Sequence, residues 1–282
     1  MSKYNVAVLL PTRARTDSFT RSVASMIDLA HDLSAIEFVI AIDSDDTVGH
    51  KHFLEVIQPL LDRKGVCYTA VEFESLGYAG LNRYYNELAK LADAEWLFVW
   101  NDDAVMNTQD WDKTISNYTG QFCLLKVHTH KEHPYSIFPI VPRAWFELMG
   151  HLSRHQMIDA ELSQIAFCLD VMQIIDIDVT HEQSELTGQA DDTSKRKIRF
   201  EGNPNNPYDF HNVAVTQQRY RDCEILNQHL KKLGLDWSWW ERVKTGQQNP
   251  WEKLRALDIN KQMSQFTTRT DEKGRVVLEK SN

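Results

Sequence analysis

Twice in this chain a short apolar run ends abruptly in acid. Trp96-Leu97-Phe98-Val99-Trp100 is aromatic and β-favouring in a row too short for a helix, so it reads as a strand buried on both faces, and Asn101-Asp102-Asp103 follows it directly. Ile36 to Ile42 reads the same way and ends in Asp43-Ser44-Asp45-Asp46. In open α/β sheets, ligands bind in the crevice outside the C-terminal ends of the strands. Adjacent carboxylates beside an amide are hard oxygen donors, suited to Mg²⁺ or Mn²⁺ bridging a diphosphate, while the same residue types also make ordinary solvated turns. His128, His130 and His133 cluster further on, but H-x-H-x-x-H on an expected loop before Pro134 is not a zinc arrangement. Asp159-Ala160-Glu161 opens an expected helix, a place where acid also suits the dipole and the cap.

The elements that must carry these residues alternate between strand and helix. Val6 to Leu10, closed by Pro11 and followed by Thr12-Arg13-Ala14-Arg15, reads as a first strand; Asp17 or Ser18 can cap a helix with Val23, Ile27, Ala30 and Leu33 on one face. A helix through Phe53, Val56, Ile57 and Leu60 follows the second strand, and Val66 to Phe73 makes a third. The loop Glu74 to Gly80 then leads into a helix over Leu81 to Leu91, which delivers the chain to the acidic strand. After it come an expected helix over Asp110 to Tyr118, a strand over Phe122 to Val127, a helix begun at Pro142, the Asp159 helix with Leu162, Ile165, Ala166 and Leu169 as its stripe, and a strand over Val171 to Val179 with His181 just beyond. This order predicts a mostly parallel central sheet with right-handed crossovers and helices on its faces. No G-x-G-x-x-G and no Gly-Lys-Ser/Thr loop occurs, which removes the main support for NAD-oxidoreductase and ATPase chemistry.

The 282 residues carry a net charge of −9, unevenly spread: residues 1–194 hold 14 basic and 29 acidic side chains, residues 195–282 hold 17 and 11. That asymmetry divides the chain into an acidic unit over 1–182 and a basic, mainly helical region over 183–282. Within the second, 183–208 reads as a polar loop that could close over a ligand, with Lys195, Arg196, Lys197 and Arg199 in it, and Ala214 to Leu233 as a helix. Trp237, Trp239, Trp240 and Trp251 lie near Arg242, Lys244 and Lys253, a mixture that could stack on a sugar or base, bind nucleic acid, meet a membrane interface, or dock a terminal helix. The tail from Met263 is polar and expected to be loosely held. Apolar runs such as Val6 to Leu10 are far shorter than the roughly 20 residues that span a bilayer. The four cysteines, at 67, 123, 168 and 223, form neither a zinc pattern nor a disulfide framework, so a cytoplasmic setting is expected.

The ordered set of motifs resembles GT-A nucleotide-sugar glycosyltransferases, in particular inverting family 2. Gly80-Leu81-Asn82-Arg83-Tyr84-Tyr85-Asn86 resembles the family's G-x-x-x-A-R-N, and Asn101-Asp102-Asp103 falls where its D-x-D should be. Tyr85 replaces the usual Arg, Asn101 the first Asp, and Ala104 the final Asp. The resemblance, which covers residues 3–181, implies a nucleotide-sugar donor, an acceptor hydroxyl on a carbohydrate or other molecule, and a divalent cation, Mn²⁺ or Mg²⁺. It implies donor binding by Pro11, Thr12, Arg13, Asp43, Asn82, Asn86, Asn101 and Asp102, metal binding by Asp103 and His181, and Asp159 as the catalytic base. A catalytically degenerate carbohydrate- or nucleotide-binding protein, and a transferase acting on modified nucleic acid, are the alternatives.

Overall fold

The computed structural model describes residues 2–129, 133–182, 210 and 213–250, together with the backbone of 266–270 and 276–280. Strand β1 (Tyr4–Thr12), helix α1 (Thr16–Asp28), β2 (Ile36–Asp43), α2 (Thr47–His52), α3 (Gln58–Lys64), β3 (Cys67–Phe73), α4 (Leu81–Leu91) and β4 (Ala94–Val99) form the first half. A turn leads to β5 (Ala104–Met106), then α5 (Trp111–Ser116), β6 (Leu124–Thr129), β7 (Ile140–Pro142), α6 (Arg143–Met149), α7 (Ile158–Leu169) and β8 (Met172–His181). Helices α8 (Val213–Lys232) and α9 (Ser238–Lys244) follow, and β9 (Phe266–Thr270) pairs antiparallel with β10 (Val276–Lys280), strands that the polar tail did not announce.

The eight-stranded sheet has the order β3-β2-β1-β4-β7-β6-β8-β5. Its first half is parallel as expected, β3 to β2 to β1 to β4. The second half is mixed: β7 runs antiparallel to β4 and β6, and β5 antiparallel to β8. Three-residue strands such as β5 and β7 carry too little pattern to be read in advance.

Alternate strand residues go to opposite faces and build two cores. Val6, Val8, Leu10, Trp96, Phe98 and Trp100 meet Phe19, Val23, Ile27 and Trp111 from α1 and α5 on one side. Ala7, Leu9, Leu97 and Val99 meet Tyr85 and Leu88 of α4, Trp145 of α6, Leu162 and Ile165 of α7 and Cys223, Leu226 and Leu230 of α8 on the other. Burial on both sides is why β2 and β4 read as unbroken apolar runs. Truncating Trp100, fully buried with its Nε1 donating to Ser22 Oγ at 2.8 Å, would cost about 3–5 kcal/mol.

Several boundaries differ from the sequence reading for local reasons. Pro11 lies within β1 rather than closing it, because β4 pairs only as far as Leu9 and the missing N–H faces no acceptor there. Neither Asp17 nor Ser18 caps α1: the cap position is Arg15, with no side-chain cap bond, and Asp17 lies inside the first turn. A π-helical turn over Phe53–Ile57 joins α2 to α3. Helix α7 is buried nearly all round, Glu161, Ser163 and Gln164 included, and not along a single stripe. The four cysteines are free thiols. Among the described residues no helix is long and apolar enough to cross a membrane.

Candidate functional site

The loop after β1 is braced residue by residue against the two acidic strand ends. Thr12 Oγ1 donates to Asp102 Oδ2 at 2.9 Å, Arg13 Nη1 to Asp43 Oδ2 at 2.7 Å, the Ala14 N–H to Asp46 Oδ2 at 2.6 Å, and Arg15 Nη1 to Asp102 Oδ1 at 3.0 Å and to Asp103 Oδ2 at 2.8 Å. Ala14 has φ +51°, a left-handed conformation that costs a residue with a Cβ free energy, and Asp46 pins it. Parallel pairing of β1 with both β2 and β4 brings the two acidic ends to either side of this loop.

At the β2 end, Asp43 accepts from Arg13, from Ser75 Oγ at 3.2 Å and from the Tyr84 hydroxyl. Burial, and then Asp43, push the Tyr84 phenol up to about 12, so it stays a donor. Arg13 also clasps Asp45, which is exposed. Asp46 caps α2 through the Gly49 N–H at 2.9 Å, and a Cβ at Gly49 would lie 2.1 Å from the Asp46 carboxylate, so glycine is required there.

At the β4 end, Asn101 to Ala104 is a tight turn closed by Ala104 N–H to Asn101 O at 3.2 Å, with the two acids at its centre. The turn is not a solvated one: Asp102 is only 6% exposed. Ser22 Oγ donates to Asn101 O and Ser25 Oγ accepts from the Met106 N–H, so α1 holds both sides of the turn. Burial pushes the Asp102 carboxyl up to about 6, against the pull of Arg15. Asp103 feels the same burial, but His181 and Arg15 outweigh it and hold it below the usual carboxylate range. His181 Nε2 lies 3.1 Å from Asp103 Oδ1, an atom that is buried and carries no hydrogen bond. His181 is the last residue of β8 rather than a loop residue beyond it; its pairing with Ala104 and the Glu182 N–H bond to Asp103 O at 2.7 Å fix it beside the acids.

Asp159 occupies the first turn of α7, whose cap position is Met157; it is half-buried and does not cap the helix. The Tyr85 hydroxyl lies 2.7 Å from Trp100 O and 2.8 Å from Asn101 Oδ1. Burial raises the Tyr85 phenol far above its ordinary range, and the charges of Asp102, Asp103 and Asp159 add to the effect. The loop before α7 is held from below. Asn86 Oδ1 accepts from the Leu152 and Ser153 N–H groups at 2.7 and 3.0 Å, its Nδ2 donates to Ser153 O at 2.7 Å, and Glu161 accepts from the Arg154 and His155 N–H groups. Asn86 thus spends its amide on the backbone of the loop that leads to α7; Asn82 is half-buried in the first turn of α4 and joins none of these networks.

Arg15 is the largest omission of the sequence reading. Its signal was the alternation Arg13-Ala14-Arg15 after a strand, but only the left-handed Ala14 reveals that the second arginine turns towards the β4 acids. Tyr84, Ser22, Ser25 and Glu161 were also unmarked. His130, the lid expected over 183–208 with its basic residues, and Trp251 and Lys253 lie outside the described residues. Of the C-terminal tryptophans, Trp240 is buried with Nε1 on Glu224, and Trp239 Nε1 donates to Phe167 O, so these two dock α9 on α8 and α7.

No family profile matches the sequence, and neither does any curated protein. Solved structures do match in shape. A mannosyltransferase, PcManGT from Pyrobaculum calidifontis in complex with GDP-Man and Mn²⁺, superposes with a TM-score of 0.51 at 11% identity over 90% of this chain and 83% of its own. The chain has the GT-A fold. S. aureus TarS 1–349 in complex with UDP-GlcNAc has a TM-score of 0.50 at 12% identity, covering 98% of this chain and 97% of its own. GalNAc-T7 with UDP, GalNAc and Mn²⁺ reaches 0.51 at 11% identity, over 63% of this chain and 44% of its own. In this chain both acidic clusters lie at the C-terminal ends of the parallel strands on either side of β1, the part of an open α/β sheet where ligands bind.

The residues present fit a divalent cation in one specific way. The buried Asp103 Oδ1 and the His181 Nε2 that lies 3.1 Å from it are an oxygen and a nitrogen donor side by side. Among the described residues no three His, Cys, Asp or Glu side chains converge on a metal. Two protein ligands leave most of the coordination sphere to water and phosphate oxygens, which is the usual arrangement for a cation shared with a diphosphate.

Proposed function

We propose that this protein transfers a sugar from a nucleoside-diphosphate donor to an acceptor hydroxyl, with inversion at the anomeric carbon. The observation that carries the reading is the meeting of Asp102, Asp103, Arg15 and His181 at the C-terminal end of β4, in a GT-A fold. Asp43 and Arg13, steadied by Ser75 and Tyr84, form the wall that would take the nucleoside. Asp103 and His181 would hold Mn²⁺ or Mg²⁺, which when bound neutralises charge on the departing diphosphate. Pro11, Thr12 and Asn101 shape the floor between the two acidic ends. Asp159, in the first turn of α7, would take the proton from the acceptor hydroxyl as it attacks the face opposite the leaving group, which inverts the centre. We assign this work to residues 1–182, with the C-terminal helices as a buttress for α7. Among the described residues, nothing in the C-terminal region favours a nucleic-acid acceptor: Lys244 pairs with Glu224 and Glu241, Lys231 lies over Trp237 and Arg242 over Trp239.

The test is thermal stabilisation by UDP-, GDP-, CMP- and dTDP-linked sugars with and without Mn²⁺, followed by donor hydrolysis and acceptor screening. One donor should raise the melting temperature, and Asp159→Asn should keep that shift while losing turnover by about 10²–10⁴-fold. Donor binding without hydrolysis or transfer, unaffected by Asp159→Asn, would favour a degenerate nucleotide-binding protein.

A further inference from the structure

The acid pair already holds a cation: the Arg15 guanidinium. One nitrogen, Nη1, touches a carboxylate oxygen of each acid, and the side chain is more open to solvent than its partners, 26% exposed against 9% for Asp102 and 14% for Asp103. The acid turn has other holds besides Arg15. Thr12 holds Asp102, the Glu182 N–H holds the Asp103 carbonyl, and α1 holds the turn through Ser22 and Ser25. Arg15 itself is tethered at its root, because the left-handed Ala14 is pinned by Asp46 and the next residue starts α1. A long, planar side chain on a fixed root, more exposed than the two acids it spans, can exchange one set of anionic oxygens for another.

We propose that Arg15 is a built-in competitor for the divalent cation, occupying the acid pair in the free protein and moving to the diphosphate when the donor binds, so that metal and donor enter together. A divalent ion beside Asp103 and a guanidinium on the same two carboxylates repel each other, and free metal binds weakly while the arginine stays. A nucleoside diphosphate offers the guanidinium bidentate oxygens that replace the carboxylates it leaves. By linkage, whatever the diphosphate contributes to metal binding the metal returns to diphosphate binding. This inference rests on the transferase reading of the same site and adds to it an order of entry.

The experiment measures Mn²⁺ binding directly, by electron paramagnetic resonance and by calorimetry, with and without UDP and GDP. It uses the full chain, Arg15→Gln, Arg15→Lys and Arg15→Gln combined with Asp103→Ala, with the melting temperature of each recorded. Without nucleotide, Arg15→Gln is expected to bind Mn²⁺ about tenfold more tightly than the wild type, a coupling of ordinary size for linked sites. Arg15→Lys should stay close to the wild type because the charge remains, and the double variant should lose the added affinity. Addition of the preferred nucleotide should strengthen Mn²⁺ binding more in the wild type than in Arg15→Gln. Equal Mn²⁺ affinity of wild type and Arg15→Gln in the absence of nucleotide overturns the proposal, as does weaker binding by Arg15→Gln. If the wild type nevertheless binds Mn²⁺ with a nucleotide, the transferase reading stands; if no protein binds Mn²⁺ with either nucleotide, the metal part of that reading fails with the proposal.

Discussion

The ends of β2 and β4 are built from the same ingredients, an apolar strand, a run of acids and an arginine from one shared loop, and they end in different electrostatic states. At the β2 end the charges are well satisfied: Asp43 has three side-chain donors, Asp46 is occupied by two backbone N–H groups, and Asp45 reaches solvent. At the β4 end two carboxylates share one guanidinium nitrogen, one of them is raised to about 6 by burial, and Asp103 Oδ1 makes no hydrogen bond, with the His181 ring beside it. A buried charge with an unused lone pair is costly unless something else completes it. The first end is satisfied by the fold, whereas the second is the one to which we assign a ligand.

The contrast is sharpened most by truncating one acid at each end. Asp103→Ala should lower kcat/KM by about a hundredfold or more, the scale of losing a main electrostatic contact in a transition state. Asp43→Ala should instead cost stability, roughly 1–3 kcal/mol, because Tyr84, Ser75 and Arg13 lose a buried acceptor, with the kinetic effect confined to KM for the donor. Steady-state kinetics beside urea denaturation decides it, and the same outcome for both variants would erase the distinction. A smaller effect is expected for Asp46→Ala, about 1–2 kcal/mol for a lost helix cap, with kcat retained in the same assays.

The smallest effect concerns Glu37, a buried acid at the opposite end of β2 whose Oε1 accepts from the Asp93 N–H. Burial raises its carboxyl above the unfolded value despite that bond. A raised carboxyl favours folding where it is protonated, and that contribution is lost as pH rises through the folded pKa. Glu37→Gln keeps the acceptor without the charge, so it should be more stable than the wild type at pH 7, and the advantage should shrink towards pH 4. Denaturation at the two pH values measures the difference; an advantage that grows on acidification would mean that the charge is stabilised after all.

What could be read from the sequence follows from how strands are buried. β1, β2 and β4 are covered on both faces, so they appear as apolar runs and their acidic ends stand out. β8 is covered unevenly, with Gln173 and Asp176 exposed, and after Val179 the polar Thr180-His181 reads as the start of a loop; that is why His181 was placed just past the strand. Asp159 was found at the start of a helix, but the loop before that helix is gripped by Asn86, 67 residues away from Ser153 in the chain, a contact that no local pattern announces. Arg15 was hidden for a conformational reason. Alternation along an extended strand would put Arg13 and Arg15 on the same side, and only the positive φ of Ala14 separates them, one to each acidic end.

The pairing of β5 with β8 has a consequence for the order in which the molecule is made. The acid turn and Arg15 come from the first part of the chain, while His181 arrives only after β6, β7, α6 and α7 have been placed between them. Contacts across so long a loop form late, because the chain entropy of closing it is lost before the contact can repay it. A chain still emerging from the ribosome therefore has its buried acids and their arginine in place before the histidine that would complete a metal site. During that interval the arginine is the counter-ion available to let those acids be buried.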